Sequence, residues 1–260
     1  IRYPLWSRGL GDVYKRQIMG YNDIGPNEYT PNYESYSGYP IGLGAFDVAA
    51  IQYLYGPNLL TATDNSTYKL DSLLNGYQTI WDNGGIDVID ASESESGVNI
   101  FLSNATLQGE EGGGGFVSST KENPREGYTI AFNSTGDCII ENAVGSSYSD
   151  NINGNEFDNN LQGNSGTDYI YGLDGKDTAF YIGNRDEYTI SFAEQGEQGY
   201  CVEDLTQNRD GKDYLYGIEY LNFNGETYSI DNLLIQPNPS RTINSVETNG
   251  NVELWADLDG

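Results

Sequence analysis

Apolar positions along this chain change their period near residue 65. Upstream, in FDVAAIQYLYG (46–56), Val48, Ile51, Leu54 and Tyr55 recur at intervals of three and four and predict a short amphipathic helix. Asp47 is placed in or before its first turn and Gly56 is placed to end it. Residues 22–45, rich in Tyr, Pro, Gly and Asn, have no sustained period and read as a long loop. Downstream the helical signal is gone. Short strand-like runs follow: YQTIW (77–81), IDVID (86–90), VNIFL (98–102), YTIAF (128–132) and CIIENAV (138–144), parted by Gly, Asn, Ser and Asp. Within 109–127, GEEGGGG reads as a flexible insertion.

From residue 145 the pattern becomes periodic. Four frames of nine residues run on without a gap: GSSYSDNIN (145–153), GNEFDNNLQ (154–162), GNSGTDYIY (163–171) and GLDGKDTAF (172–180). Position one is always Gly, position six is Asp150, Asn159, Asp168 and Asp177, and position eight is Ile152, Leu161, Ile170 and Ala179. The last two copies are the best preserved, with Gly163, Gly166, Gly172 and Gly175 in place. They match the calcium-binding nonapeptide G-G-x-G-x-D-x-U-x of parallel β-helices. Six residues make a Gly-permitted turn and three make a strand whose middle side chain points inward. Two nonapeptides complete a coil, so residues eighteen apart share an edge. Asp150 and Asp168 then face one side, and Asn159 and Asp177 the other. Calcium takes six to eight oxygens, which stacked turns supply as carboxylates and carbonyls. The Asn159/Asp177 site is expected to be the weaker, since an amide oxygen replaces a charged one. The expected fold is therefore mainly β: a parallel β-roll with a short N-terminal helix and a C-terminal β cap.

Further turns are candidates for the same chemistry. WDNGGIDVIDAS (81–92) sets Asp82, Asp87 and Asp90 around a Gly pair, and reads either as a related ion-holding turn or as a solvated hairpin-like turn. Alternation in EYTISF, YCVED and IEYLNF predicts antiparallel strands over 181–235 that cap the open end of the coil. In RDGKD, Asp210 and Asp213 are either metal ligands or part of a plain turn. QPNPSR reads as a linker inside 236–260, and INSVETNGNVELWADLDG starts a new β unit that stops within itself.

Composition narrows the function. A net charge of −27 on 260 residues, with 12 Lys and Arg, leaves no basic stripe for nucleic acid and demands cations to relieve self-repulsion. There is no histidine, which removes imidazole metal ligands and His-based catalysis. No apolar run of 18 residues exists to span a membrane. Cys138 and Cys201 allow one disulfide or two free thiols. The basic stretch IRYPLWSRGLGDVYKRQ (1–17) resembles translated adapter sequence and is set aside as a non-native leader. No signal peptide opens the chain, so a secreted origin implies a mature form or a fragment.

Taken in order, IMGY (18–21), DVAAIQYLYGPN (47–58), TIWDNGGIDVIDAS (79–92), IENAVG (140–145) and the nonapeptides resemble the C-terminal part of serralysin-type zinc metalloproteases. The resemblance covers residues 18–180. It implies a remnant of the protease domain at 18–64, a calcium-binding roll at 65–180, and a secreted, extracellular bacterial protein whose parent cleaves protein substrates. By resemblance Met19 is the methionine of the turn beneath the zinc, and Tyr21 is the tyrosine that stabilises the transition state. Gly20 departs from the usual Ser. The family's three zinc-binding histidines lie upstream and are absent, so zinc belongs to the parent and the chain itself is expected to be inactive. Calcium ions, several of them, are the ligands expected here. The competing reading is a non-enzymatic calcium-binding repeat module of an adhesin or surface protein.

Overall fold

The computed structural model describes residues 41–71, 76–107, 114–124, 126–193, 199–234, 245–248 and 251–254. Helix α1 (Ala45–Tyr55) opens with the Gly44 N–H donating to Asp47 Oδ2 at 3.0 Å and closes at Gly56, whose N–H donates to the Gln52 carbonyl. Its burial departs from the amphipathic expectation. Ala45, Asp47 and Gln52 are buried and Val48 packs partly on the core, whereas Leu54 and Tyr55 stand 67% and 84% exposed. The helix meets the roll along a narrow stripe, where Gln52 Oε1 accepts a bond from Ser134 Oγ, and most of its apolar side faces outward.

The roll consists of two seven-stranded sheets. One contains β1 (Thr67–Lys69), β3 (Val88–Asp90), β7 (Asn142–Val144), β9 (Asn160–Gln162), β11 (Thr178–Tyr181), β15 (Tyr220–Phe223) and β16 (Glu226–Ser229), in that spatial order. The other runs β12 (Tyr188–Phe192), β13 (Tyr200–Asp204), β14 (Lys212–Tyr216), β10 (Tyr169–Leu173), β8 (Asn151–Asn155), β4 (Val98–Phe101) and β5 (Ser119–Thr120). The chain alternates between sheets, and the successive strands of each sheet pair in parallel along the body of the roll. Ile152 lies opposite Ile170 and Leu161 opposite Ala179, each eighteen residues on, as the nonapeptide period requires.

The core is a file only one side chain wide on each sheet. Ile89, Ala143, Leu161, Ala179 and Leu221 stack on one, and Ile100, Ile152, Ile170 and Leu215 on the other, none more than 1% exposed. A separate parallel pair, β2 (Tyr77–Ile80) with β6 (Gly127–Ile130), adds Ile80 and Ile130 to the same core. At the other end Tyr181, Tyr188 and Phe223 cluster with ring centroids 4.8–5.3 Å apart, beneath the short helix α2 (Ile230–Leu234).

Residues 181–235 differ from the purely antiparallel cap the sequence suggests. β14 pairs in parallel with β10, and β15 in parallel with β11, so both are further rungs of the roll. Antiparallel pairing is confined to β12–β13, β13–β14 and β15–β16. Alternation marks a strand with one buried face, and the parallel sheets of the roll also bury only one face, so here it does not distinguish partner direction. CIIENAV also yields a strand only at its end. The Cys138 N–H is taken by Asn133 Oδ1, and pairing begins at Asn142. Cys138 and Cys201 are separate buried thiols. β17 (Ser245–Thr248) and β18 (Asn251–Leu254) form an isolated antiparallel pair. No helix among the described residues is long and apolar enough to cross a membrane.

Candidate metal centre

Each edge of the roll carries a ladder of acidic side chains. On the edge leading into β8, β10 and β14, Asp150 Oδ1 accepts the Val98 N–H at 2.7 Å, Asp168 Oδ1 accepts the Asp150 N–H at 2.8 Å, and Asp213 Oδ1 accepts the Asp168 N–H at 3.2 Å. Every rung thus reaches back one coil. On the opposite edge Asp87 Oδ1 accepts from Ser66, Glu141 Oε2 from Asp87, Asp177 Oδ1 from Asn159, and Glu219 Oε2 from Asp177, at 2.7–2.8 Å. The cause is local. The acid comes two residues before the inward apolar side chain, so its backbone enters the strand while its side chain stays on the turn.

One oxygen of these carboxylates is used for the ladder, and the other is often left over. Asp87 Oδ2, Asp168 Oδ2 and Asp177 Oδ2 are buried with no hydrogen-bond partner, in residues that are 0% exposed. Such orphans are costly and point to a partner that binds oxygen. Glycine at position one leaves them room. A Cβ built on Gly163 or Gly172 would fall on Asp168 Oδ2 or Asp177 Oδ2, and one on Gly154 would press on the Gly172 carbonyl of the next coil. At position four, Gly166 has φ +131° and backs directly onto the backbone of Tyr148 and Ser149 in the coil below, where only glycine fits.

Electrostatics agree with this geometry. Burial, with the charge of Asp150 beside it, pushes the Asp168 carboxyl up to about 8. Burial, with Glu219 and Asp158 adding to it, takes Asp177 to about 7. Burial, with Asp82 and Glu141, likewise takes Asp87 to about 7. Burial raises Asp213 well above the usual carboxylate range, and neighbouring Asp168 raises it further. Each group resists ionisation because negative charge accumulates out of water with too little positive charge nearby. A hard divalent cation bound to oxygen removes that penalty. Among the described residues no three Asp, Glu or Cys side chains converge closely enough to hold an ion on their own. An ion bound on either edge would need carbonyl oxygens of the Gly-rich turns to complete its shell.

The residues singled out in the sequence fall into several groups. Asp150 and Asp168 stack on one edge, and Asn159 and Asp177 on the other. Asp150 differs from Asp168 in that Ser146 satisfies it, through its N–H at 2.6 Å and its hydroxyl at 2.9 Å. Asn159 donates its amide to the Glu141 carbonyl at 3.2 Å and to Asn155 Oδ1 at 3.0 Å, and its Oδ1 accepts the Asn155 N–H at 2.8 Å. Asp87 and Asp213 are rungs of the ladders. Asp82 is buried and accepts the Tyr68 hydroxyl at 2.6 Å. Asp90 lies off the ladders, paired with Lys69 at 2.8 Å. Asp210 accepts the Ile182 N–H and the Tyr188 hydroxyl. Met19 and Tyr21 lie outside the described residues. Sequence reasoning missed Glu141 and Glu219. The signal was present in Glu-Asn-Ala143 and Glu-Tyr-Leu221, which repeat the acid-x-apolar unit of Asp-Tyr-Ile170.

Known families agree with this reading over the central coils. A family model of the RTX calcium-binding nonapeptide repeat matches residues 144–179, in four copies. No curated protein matches the chain. The fold and the match together define a β-roll carrying RTX repeats, and calcium binding follows as the property of that region.

Proposed function

We propose that this chain is the calcium-dependent C-terminal region of a secreted bacterial metalloprotease of the serralysin type, and that calcium holds its roll folded. The carrying observation is the set of buried, partnerless carboxylate oxygens on Asp87, Asp168 and Asp177, spaced along a core one side chain wide. Asp150, Asp168 and Asp213 supply ligands on one edge, and Asp87, Glu141, Asn159, Asp177 and Glu219 on the other. Carbonyls of turns containing Gly163, Gly166, Gly172 and Gly175 complete the shells. Ion binding and folding are then one equilibrium. Millimolar calcium outside the cell drives folding, while low calcium inside leaves the chain unfolded and exportable.

The metalloprotease parent is supported by the collinear motifs from IMGY to the nonapeptides, and by α1. Its exposed Ile51, Tyr53, Leu54 and Tyr55, continued by Leu59 and Leu60, form an apolar surface of the kind that packs against further protein. Zinc and protein substrates belong to that parent. Two experiments test the proposal. Calcium titration of the chelated chain, followed by far-UV circular dichroism, should show cooperative gain of β signal; an unchanged spectrum rejects calcium-driven folding. Sequencing the gene upstream of Ile18 should reveal HExxHxxGxxH shortly before Met19. Uninterrupted repeats there would instead assign the chain to an adhesin or surface protein.

A further inference from the structure

We infer that the outer face of the sheet formed by β4, β8, β10 and β14 binds a neutral polysaccharide of flat, equatorially linked hexose units. Ile152, Ile170 and Leu215 point into the core, so their neighbours on either side point out. Those neighbours are Asn151 and Asn153 on β8, Tyr169 and Tyr171 on β10, and Tyr214 and Tyr216 on β14. Register sets them in rows across the strands. Tyr169 lies opposite Tyr214 and Tyr171 opposite Tyr216, and the rings stack with centroids 5.2 and 4.9 Å apart and interplanar angles of 17° and 13°. Gly199 backs onto the second pair, where a Cβ would come within 2.6 Å of the Tyr216 ring. On the other flank Tyr169 lies opposite Asn151 and Tyr171 opposite Asn153. Asn99 and Phe101 continue the rows on β4, and Phe101 stacks on Phe116 at 5.1 Å. Asn153 is therefore flanked by two aromatic residues, Tyr171 and Phe101, on strands roughly 10 Å apart. The shorter asparagines form the floor of a trough and the rings its walls.

Each feature of the trough suits a sugar. Aromatic rings offer wide apolar surface with few rotatable bonds, and the C–H faces of a hexose cover such surface well. Tyr169 and Phe116 stand 40% and 44% exposed, so the walls are reachable on both sides. The floor supplies hydrogen bonds. Asn151 Nδ2 donates to Asn99 Oδ1 at 2.8 Å, and Asn153 Nδ2 to the Ile100 carbonyl at 3.3 Å. These bonds spend donors and leave the two side-chain carbonyls to accept from sugar hydroxyls. Charge selects among polymers. The chain carries −27, yet none of these outward residues is Asp, Glu, Lys or Arg. A basic partner finds no counter-charge on this face, and an anionic polymer or a second copy of the chain is repelled by the rest of the surface. A neutral ligand remains. Straightness of the rows sets the linkage, because equatorial links keep successive hexoses in one flat ribbon. The rungs themselves do not call for the tyrosines. On the opposite sheet the matching outward places of β9 and β11 hold Asn160, Gln162, Thr178 and Phe180.

The test is affinity electrophoresis of the full chain in millimolar calcium, through gels containing hydroxyethylcellulose or glycol chitin, with carboxymethylcellulose as the charged counterpart. Retention by a neutral polymer, and at least tenfold weaker retention by carboxymethylcellulose, is expected. Tyr169→Thr combined with Tyr171→Thr removes the β10 wall and should weaken retention at least tenfold, with the circular dichroism spectrum unchanged. Asn151→Asp keeps every ring and lets Asn99 turn its NH2 to the new carboxylate. The added charge should again cost at least tenfold, whereas Asn160→Asp, the same change on the opposite sheet, should cost nothing. Hydroxyl-radical footprinting of the unmodified chain is independent of any variant: cellohexaose or chitohexaose should shield Tyr169 and Phe116 from oxidation. A chain that neither neutral polymer retains overturns the inference. So does retention that Asn151→Asp and the tyrosine pair both leave intact, or a dimer that the tyrosine substitutions dissolve, which would make a second copy the occupant.

Discussion

Asp168→Asn should change stability in opposite directions with and without calcium. Asp168 Oδ1 accepts the Asp150 N–H and Oδ2 has no partner, so an asparagine keeps the ladder bond and removes only the charge and one ligand oxygen. In the metal-free fold the carboxyl is raised from 3.8 to about 8. At ~1.4 kcal/mol per unit, ionisable burial withholds on the order of 3–5 kcal/mol at neutral pH. The amide escapes that penalty but leaves its NH2 without an acceptor, which costs about 1–3 kcal/mol. The metal-free fold should therefore gain roughly 1–3 kcal/mol. With calcium present the sign reverses. Loss of the site at a calcium concentration about 1,000 times its Kd gives up about 4.1 kcal/mol of linked stability, which exceeds the metal-free gain.

The assay is far-UV circular dichroism of both proteins at pH 7.5. In chelator, folding is driven by trimethylamine oxide, an excluded osmolyte that favours burial without binding metal. Asp168→Asn should need less osmolyte than the parent chain, and more calcium when calcium is titrated instead. Natural precedent lies one rung away on the other edge, where Asn159 already occupies position six and bonds Glu141 with its amide. If Asp168→Asn raises the osmolyte midpoint and leaves the calcium midpoint where it was, the carboxylate is a hydrogen-bonding strut and the ligand assignment is wrong.

Other expectations follow from the same geometry. Asp87, Asp168 and Asp177 are all harder to ionise folded than unfolded, with folded values of about 7, 8 and 7. Metal-free stability is thus highest below the unfolded value of 3.8 and falls as pH rises to 7–8, while calcium, which needs the ionised form, binds more weakly as pH drops through that window. Isothermal titration at pH 6 and pH 8 should show at least a tenfold weaker calcium affinity at pH 6, and equal affinities would contradict the buried-carboxylate account. Gly166→Ala should cost about 2–5 kcal/mol, combining backbone strain with overpacking. Gly136→Ala is its control: φ is +88° but nothing lies within 4 Å of the added carbon, so about 1 kcal/mol is expected. Denaturant titration in calcium compares the two, and similar losses would show that the close approach to Tyr148 is unimportant.

The central coils were legible because nothing interrupts them. Four frames in tandem put the turn glycines, the acid and the inward residue at fixed offsets, and register followed from the eighteen-residue coil. The outer coils obey the same acid-x-apolar unit but lack tandem spacing. Asp-Val-Ile89 and Glu-Asn-Ala143 stack as neighbours although 54 residues part their inward side chains. Period-based reasoning cannot see a rung displaced that far, and therefore left Glu141 and Glu219 unassigned. The strand direction of β14 and β15 was hidden for a related reason. Alternation reports burial of one face, and direction is decided by which neighbour the core file makes available. Helix α1 failed differently. Its spacing at Val48, Ile51 and Leu54 was real, but spacing says nothing about whether a partner lies against that face.

The two long excursions fall at informative places. The chain leaves between β4 and β7 on one edge and between β11 and β14 on the other, and each time returns at an acid: Glu141 just ahead of β7 and Asp213 in the second position of β14. Lengthening a loop costs little, because closure entropy grows only with the logarithm of its length. Shifting the acid relative to the inward residue by one position would cost far more, since it would turn Ala143 or Leu215 out of the file and a neighbour into it. Insertion is therefore tolerated between rungs and excluded within them. On that argument a chain of this kind is defined by recurrence of the three-residue unit on alternate edges, and the ion count follows the number of stacked acidic turns rather than the number of tandem repeats.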